Sequence, residues 1–333
     1  MPHHLVTGGA GFIGSHLTEA LLARGDRVTV VDDESTGCFG NLAAVRDHSG
    51  LTFVRGSVTD AALVRRLVAD VDQVFHLAAA VGVQLISNAP LQTIETNIYP
   101  TELIFSEMLR RHQAGATVKI FLASSSEVYG KNPKPQWTED DDLVFGPTRR
   151  ARWSYGASKA IDEFLALAHW RQYQLPVVVG RFFNVAGPRQ TGSFGMVLPR
   201  FVTAALAGGP VVVHDDGKQS RCFAHVSDIV AALLELMSAE AATGEVFNIG
   251  SNDAISILEL AEKVVAAVGT NVEINFQSYA EAYSEDFEDI RCRVPDLTKL
   301  RQTISHQPGY DLDGIIADVV AWHRSLSVED PAR

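Results

Sequence analysis

Gly8-Gly9-Ala10-Gly11-Phe12-Ile13-Gly14 lies between a short apolar run, Leu5-Val6-Thr7, and a segment that reads as a helix from about Phe12 to Arg24. Gly8 permits a tight turn after a strand. Gly11 lets the backbone approach a ligand, and Gly14 lets the helix pack closely on the strand. Such a helix starts with unsatisfied N–H groups and a positive dipole end, which together suit a pyrophosphate. A glycine triplet alone is a weak signal, because turns commonly carry glycine. The context is supplied by Asp32, which closes the next apolar run, Val28-Thr29-Val30-Val31. A carboxylate about 20 residues beyond the turn can accept hydrogen bonds from ribose hydroxyls. Its charge repels a 2′-phosphate, so the expected cofactor is NAD rather than NADP.

The chain keeps this alternation. Leu51-Thr52-Phe53-Val54, Val74-Phe75-His76-Leu77, Val118-Lys119-Ile120-Phe121-Leu122 and Val177-Val178-Val179 read as strands. Residues 60–69, 91–112 and 153–173 between them read as helices. Strands alternating with helices predict βαβ units and a parallel sheet covered on both faces, with right-handed connections. Beyond Pro188 the alternation fades, and Val246-Phe247-Asn248-Ile249 reads as a strand returning to the sheet. The expected fold is an α/β Rossmann-type doubly wound parallel sheet with a smaller C-terminal substrate-binding lobe. The cofactor domain is expected over residues 1–175, and the lobe mainly over 182–333.

Length and charge narrow the partners. A chain of 333 residues can bury a large core. A net charge of −12 argues against nucleic acid or an anionic membrane; an anionic small substrate would need a local cluster of arginines. Cys38, Cys222 and Cys292 are odd in number and widely spaced, which predicts reduced thiols in a cytoplasmic protein rather than a disulfide framework. Cys222, beside Arg221, reads as a buried small hydrophobe. No apolar run approaches the roughly 18 residues of a membrane span, and a first strand from about His4 leaves no room for a signal peptide. His76, His214 and His225 show no metal-ligand spacing, so no metal is expected.

Tyr155 and Lys159 stand four apart in a predicted helix and therefore share a face. A tyrosine with a pKa of about 10 is a poor base at neutral pH. A neighbouring ammonium and a positive nicotinamide ring would favour its phenolate. Tyr155 could then take a hydroxyl proton while the carbon gives its hydride to NAD, with Lys159 also holding the nicotinamide ribose. Ser125, at the end of the fifth strand, is placed to hydrogen-bond the same hydroxyl. The pattern Tyr-x-x-x-Lys also arises in ordinary amphipathic helices; its position after the glycine turn and the serine cluster is what singles it out.

With these residues in order, the chain resembles the extended short-chain dehydrogenases/reductases of the nucleotide-sugar epimerase/dehydratase family, over nearly its whole length. Supporting stretches are His76-Leu77-Ala78-Ala79, Arg181-Phe182-Phe183-Asn184-Val185-Ala186-Gly187-Pro188-Arg189 and Val226-Ser227-Asp228. The resemblance implies a UDP-sugar substrate and cofactor contacts at Gly8, Gly11, Phe12, Ile13, Gly14, Asp32, Asp33, Ser35 and Gly37. It adds Ser57, Val58, Leu77, Ala78, Ala79 and Asn97 to that set. Ser57 departs from the usual aspartate near the adenine, although Asp60 is kept. On the substrate side it implies Val81, Asn184, Arg189 and Arg221, with Val197 and Arg200 in a nucleobase pocket spanning Met196 to Arg200, and Arg293 on the pyrophosphate. It also implies a homodimer through helices 91–112 and 153–173.

Members of this family oxidise the sugar C4 hydroxyl and then diverge. Ser126 stands where 4,6-dehydratases carry a proton-donating aspartate, so dehydration is not expected. Ser126-Glu127 is similar to the UDP-glucuronate decarboxylases, as are Arg152-Trp153-Ser154-Tyr155, Lys218-Gln219-Ser220-Arg221-Cys222-Phe223 and the stretch from Tyr283 through Phe287-Glu288-Asp289 to Arg293. Oxidation at C4 makes a ketone β to the uronate carboxylate, and such an acid loses CO₂ readily. Ser126 and Glu127 therefore join the expected catalytic set, with Glu127 and Arg221 the candidates to orient the carboxylate and protonate the enolate. The alternative is a UDP-sugar C4-epimerase, in which the keto ring turns over and is reduced on its other face. A non-catalytic NAD-binding regulator on the same fold is the reading from another class; intact Tyr155, Lys159 and Ser125 argue against it.

Overall fold

The computed structural model describes residues 1–80, 82, 89–193, 195–282 and 288–329. Its first half is built from β1 (His3–Thr7), α1 (Phe12–Ala23), β2 (Arg27–Asp32), β3 (Leu51–Arg55), α2 (Ala61–Leu67), β4 (Gln73–His76), α3 (Pro90–Gln113), β5 (Lys119–Ser125), α4 (Ser154–Tyr173) and β6 (Val177–Phe182). All five residues of β1 are buried, as a central parallel strand requires. Asp60 caps α2 by accepting from the N–H groups of Ala62 and Leu63.

Among the described residues one sheet has seven strands in the order β11-β6-β5-β4-β1-β2-β3, every pair parallel. The seventh, β11 (Glu245–Ile249), returns from late in the chain and pairs with β6, as its apolar run predicts. Strand order reverses direction between β1 and β4. In open α/β sheets ligands bind at that reversal, outside the carboxyl ends of the strands. The turn after β1, the end of β4 and the end of β5 all meet there.

Between and after these come β7 (Val185–Ala186), α5 (Val197–Leu206), β8 (Val211–His214), β9 (Ser220–Cys222), β10 (Ala224–His225) and α6 (Val226–Ser238). Then follow β12 (Ala254–Ser256), α7 (Ile257–Val268), β13 (Ile274–Gln277), α8 (Tyr279–Ala282), β14 (Cys292–Arg293), α9 (Thr298–Thr303) and α10 (Leu312–Glu329). The short strands make small sheets: β13 on β8, β10 on β7, and β12-β9-β14. Leu198, Phe201, Leu260, Val264, Ile316 and Val319 belong to a separate apolar cluster that joins α5, α7 and α10. In the β9–β14 ladder Arg293 pairs with Arg221, and that register carries both side chains to one place. No helix among the described residues is long and apolar enough to cross a membrane.

Candidate active site

The glycine turn is tied to the sheet by backbone. Gly8 has φ +69, and a Cβ there would lie 3.0 Å from the Ala78 backbone. A Cβ on Gly14 would lie 2.1 Å from the Gly8 carbonyl, so α1 approaches the turn too closely for any side chain. Gly11 is the N-cap of α1, and no side chain caps the helix, which leaves its first N–H groups to the cavity. Asp32 is buried at the end of β2. Its Oδ2 accepts from Ala10 N–H at 2.9 Å and its Oδ1 from Glu34 N–H at 2.8 Å. It thus braces the turn as well as facing the cavity; burial pushes its pKa up against those donors.

A cavity of about 850 Å³ runs from this turn across the sheet reversal. Gly8, Gly11, Phe12, Ile13, Gly14, Asp32, Asp33, Ser35, Ser57, Val58, Leu77, Ala78 and Ala79 line one half, together with Tyr155 and Lys159. These residues fit a dinucleotide: bare backbone N–H groups for a pyrophosphate, a carboxylate for a ribose and apolar walls for rings. Two expected contacts stand off the wall. Gly37 packs on the glycine turn, where a Cβ would meet Ala10 at 2.8 Å. Asn97 is buried behind it: its Oδ1 accepts from Ala80 N–H at 2.8 Å and its Nδ2 donates to Ser158 Oγ at 3.2 Å. It clamps the cavity wall to α4 rather than facing a ligand. Ser57 hydrogen-bonds Thr59 and lines the same half of the cavity.

Ser125, Ser126, Glu127, Tyr155 and Lys159 all line the cavity where β5 ends and α4 begins. Ser125 caps the short turn after β5 by accepting from Glu127 N–H at 3.2 Å, and its hydroxyl is near enough to Tyr155 to act on it. The structure departs from expectation at the tyrosine. Burial foremost, and the Glu127 charge next, raise Tyr155 above its ordinary value, while Ser125 pulls the other way. Lys159 is close enough to share the site, but its ammonium is held by Asp162 Oδ2 at 3.3 Å.

The other half of the cavity is rich in arginine. Arg152 straddles Glu127 at 2.5 and 3.0 Å. Arg293, expected beside a pyrophosphate, lies 2.5 Å from Glu127 Oε1. Arg221 reaches Asp289 at 2.9 and 3.1 Å, and Tyr279 donates to Asp289 at 2.7 Å. Burial opposes the charge on Glu127, but Arg152, Arg293 and Arg221 outweigh it and hold the carboxyl at about 2. Glu127 is therefore ionised at any working pH. It does not stand ready as the acid that protonates an enolate, one of the tasks the sequence leaves open to it.

Asn184, Arg189, Val197 and Arg200 also line this half. Asn184 Nδ2 donates to the Cys222 carbonyl at 3.0 Å. The Arg189 guanidinium turns onto α1, donating to Ser15 and to Glu19 at 2.7 Å. His214 forms part of the wall beside Arg200; burial, then that arginine, lower its pKa to about 4. Cys222 is buried and its thiol is pushed up to about 12, foremost by burial, as expected of an inert packing residue. Val81 and Tyr283–Phe287 lie outside the described residues. Reading the sequence for sites missed Asp162 and Tyr279, which carry no local pattern. Arg152 and Asp289 were visible only inside longer resembling stretches.

The chain matches the family described as GDP-mannose 4,6 dehydratase over residues 5–319. It is 39% identical over 327 residues to a UDP-N-acetyl-α-D-glucosaminuronate decarboxylase of Bacillus cytotoxicus, covering 97% of this chain and 98% of that one. It is 34% identical to UDP-glucuronic acid decarboxylase 4 of Arabidopsis thaliana, covering 91% of this chain and 64% of that longer protein. Among solved structures it resembles a UDP-glucuronic acid 4-epimerase mutant of Bacillus cereus in complex with UDP-4-deoxy-4-fluoro-glucuronic acid and NAD. There the TM-score is 0.86 and the identity 26%, with 97% of this chain and 99% of that chain covered.

Proposed function

The chain belongs to the GDP-mannose 4,6 dehydratase family and is an NAD-dependent nucleotide-sugar enzyme; we propose that it decarboxylates a UDP-linked uronate after oxidation at C4. One observation carries the reading: Arg152 and Arg293, oriented by the single carboxylate of Glu127, face the cavity beside Tyr155. With Arg221 and Asp289 the cluster holds, among the described residues, three guanidiniums and two carboxylates. The pyrophosphate is common to every UDP-sugar, whereas only a uronate brings a carboxylate to the guanidiniums at the sugar end. The C4 hydroxyl and the C6 carboxylate of a uronate are neighbours on the ring, as Tyr155 and the arginines are neighbours here.

Bound NAD would accept the C4 hydride and supply it again if the ketone is reduced before release. Tyr155, with Ser125, takes the C4 hydroxyl proton. The resulting ketone is β to the carboxylate, and the C5–C6 bond breaks as its electrons move into the enolate. Arg152 and Arg293 orient the departing carboxylate, Tyr155 and Ser125 hydrogen-bond the enolate oxygen, and a proton from water entering the cavity completes the ketone at C5. Glu127 acts by fixing the two arginines. Cofactor binding is assigned to residues 1–175 and nucleotide-sugar binding mainly to 182–333, a division supported by the two halves of the cavity wall. Exposed apolar residues on α3 and α4, Leu91, Tyr99, Ile161 and Phe164, support a homodimer through these helices. The three free cysteines support a cytoplasmic setting.

The test is to incubate the protein with NAD and UDP-glucuronate, and separately with UDP-N-acetylglucosaminuronate, and to separate the products by mass. Loss of CO₂ by the wild type, abolished in Glu127→Gln while NAD still binds, is the expected result. An isomer of unchanged mass would establish C4 epimerisation instead, the reading that the Bacillus cereus structure favours.

A further inference from the structure

One turn beyond Tyr155 and Lys159, α4 carries a charge that the reaction as described does not use. Asp162 is fully buried, and its Oδ2 lies 3.3 Å from Lys159 Nζ, which is buried too. Desolvating two charges cancels most of their attraction, so such a pair is a poor way to stabilise a fold. A role in the site explains it better. The Thr101 hydroxyl, from α3, donates to the Asn97 carbonyl at 2.9 Å and lies 3.2 Å from His76 Nε2 at the end of β4, and Asp162 Oδ1 has no hydrogen-bond partner among the described residues. The next acidic residue, Glu163, is committed elsewhere, to Arg181 at 2.7 Å and to Ser124.

We propose that Asp162 is a positioning residue for Lys159: it anchors the ammonium and, as its buried counter-charge, limits how strongly that ammonium draws the proton from Tyr155. Other charged and titratable groups face the pair from each packed element. Glu127 comes from the turn after β5, Arg293 from β14 and His76 from β4, while Glu163 lies on α4 itself. His76 is kept neutral, foremost by burial, at about 3, so it adds no charge at working pH. Burial and Glu127 raise the proton affinity of Tyr155 most, and Asp162 adds in the same direction. The consequence is a tyrosine able to give its proton back. Beside an unpaired lysine it would release the proton easily and return it poorly when the ketone is reduced. The inference rests on Tyr155 and Lys159 as the proton-transfer pair, and not on which sugar they act upon.

The experiment is an ultraviolet titration of phenolate in the NAD-loaded protein, with Tyr155→Phe subtracted as background. In Asp162→Asn the midpoint of Tyr155 should fall by about half a unit or more, because the positive charge beside it is less compensated. The acid limb of kcat/KM with whichever uronate is turned over should move down by the same amount. In a Lys159→Met background burial, no longer opposed by the ammonium, keeps Asp162 protonated, so Asp162→Asn should leave the midpoint where it was. An unmoved midpoint with Lys159 present, or an equal shift with and without it, overturns the proposal. Should Asp162→Asn not fold, Asp162→Ser removes the same charge with a smaller side chain and should lower the midpoint likewise; a midpoint at or above the wild type overturns the proposal equally. A midpoint indifferent to Lys159→Met would remove the Tyr155–Lys159 assignment, and the proposal with it.

Discussion

At Glu127 two buried guanidiniums grip one carboxylate, and the consequence is a pH dependence with a definite sign. An unfolded glutamate titrates near 4.3, whereas Glu127 in the fold is held at about 2. A depressed folded pKa stabilises above the unfolded value and loses that contribution as pH falls through the folded one. The stability difference between wild type and Glu127→Gln should therefore be full at about pH 6 and shrink toward about pH 3, read as urea midpoints. A difference that grows on acidification would mean the carboxyl is not held ionised. At this scale the sequence was informative where chemistry is local. Tyr155 and Lys159 share a helix face by spacing alone, and Ser125 ends a recognisable strand. The partner of Arg293 was not legible, because it depends on β14 lying in register with β9, which no local pattern specifies. The raised proton affinity of Tyr155 likewise depends on burial and on a carboxylate from another segment.

Elements were legible where they are long and periodic. The helices expected over 91–112 and 153–173 are α3, Pro90–Gln113, and α4, Ser154–Tyr173. Strands such as β7, β10 and β14 have two residues each, too few for any alternation, and exist only through long-range pairing. The glycine turn was legible in full, and its packing makes a graded prediction. Gly14→Ala places a Cβ 2.1 Å from backbone oxygen that cannot move aside, whereas Gly11→Ala places one at 3.1 Å. Gly14→Ala should lower the melting temperature and weaken NAD binding by more than about tenfold, a loss above about 1.4 kcal/mol. Gly11→Ala should melt closer to the wild type. Equal behaviour of the two in thermal melts would show that the close approach of α1 is not what the site depends on.

For the whole molecule, the alternation of strands and helices disclosed a parallel sheet, and the late apolar run at 246–249 disclosed its last strand. The sequence could not say which apolar residues face outward, since core packing and assembly use the same residue types. Phe164 is 69% exposed on α4 and Leu91 67% exposed on α3. Replacing both with aspartate should leave the fold intact and yield a monomer by light scattering at micromolar concentration, where the wild type should run as a dimer. A wild type that is already monomeric there would leave this face without that role.

The guanidinium cluster of the sugar pocket also bears on direction. Under the proposed reaction a uronate arrives with a carboxylate for that cluster, and the loss of CO₂ takes the carboxylate away. The product then keeps only the hold that its pyrophosphate and nucleoside supply, so the bond-breaking step would also be the step that loosens it. Turnover of this kind is self-clearing: the enzyme recognises its ligand by the very group it removes.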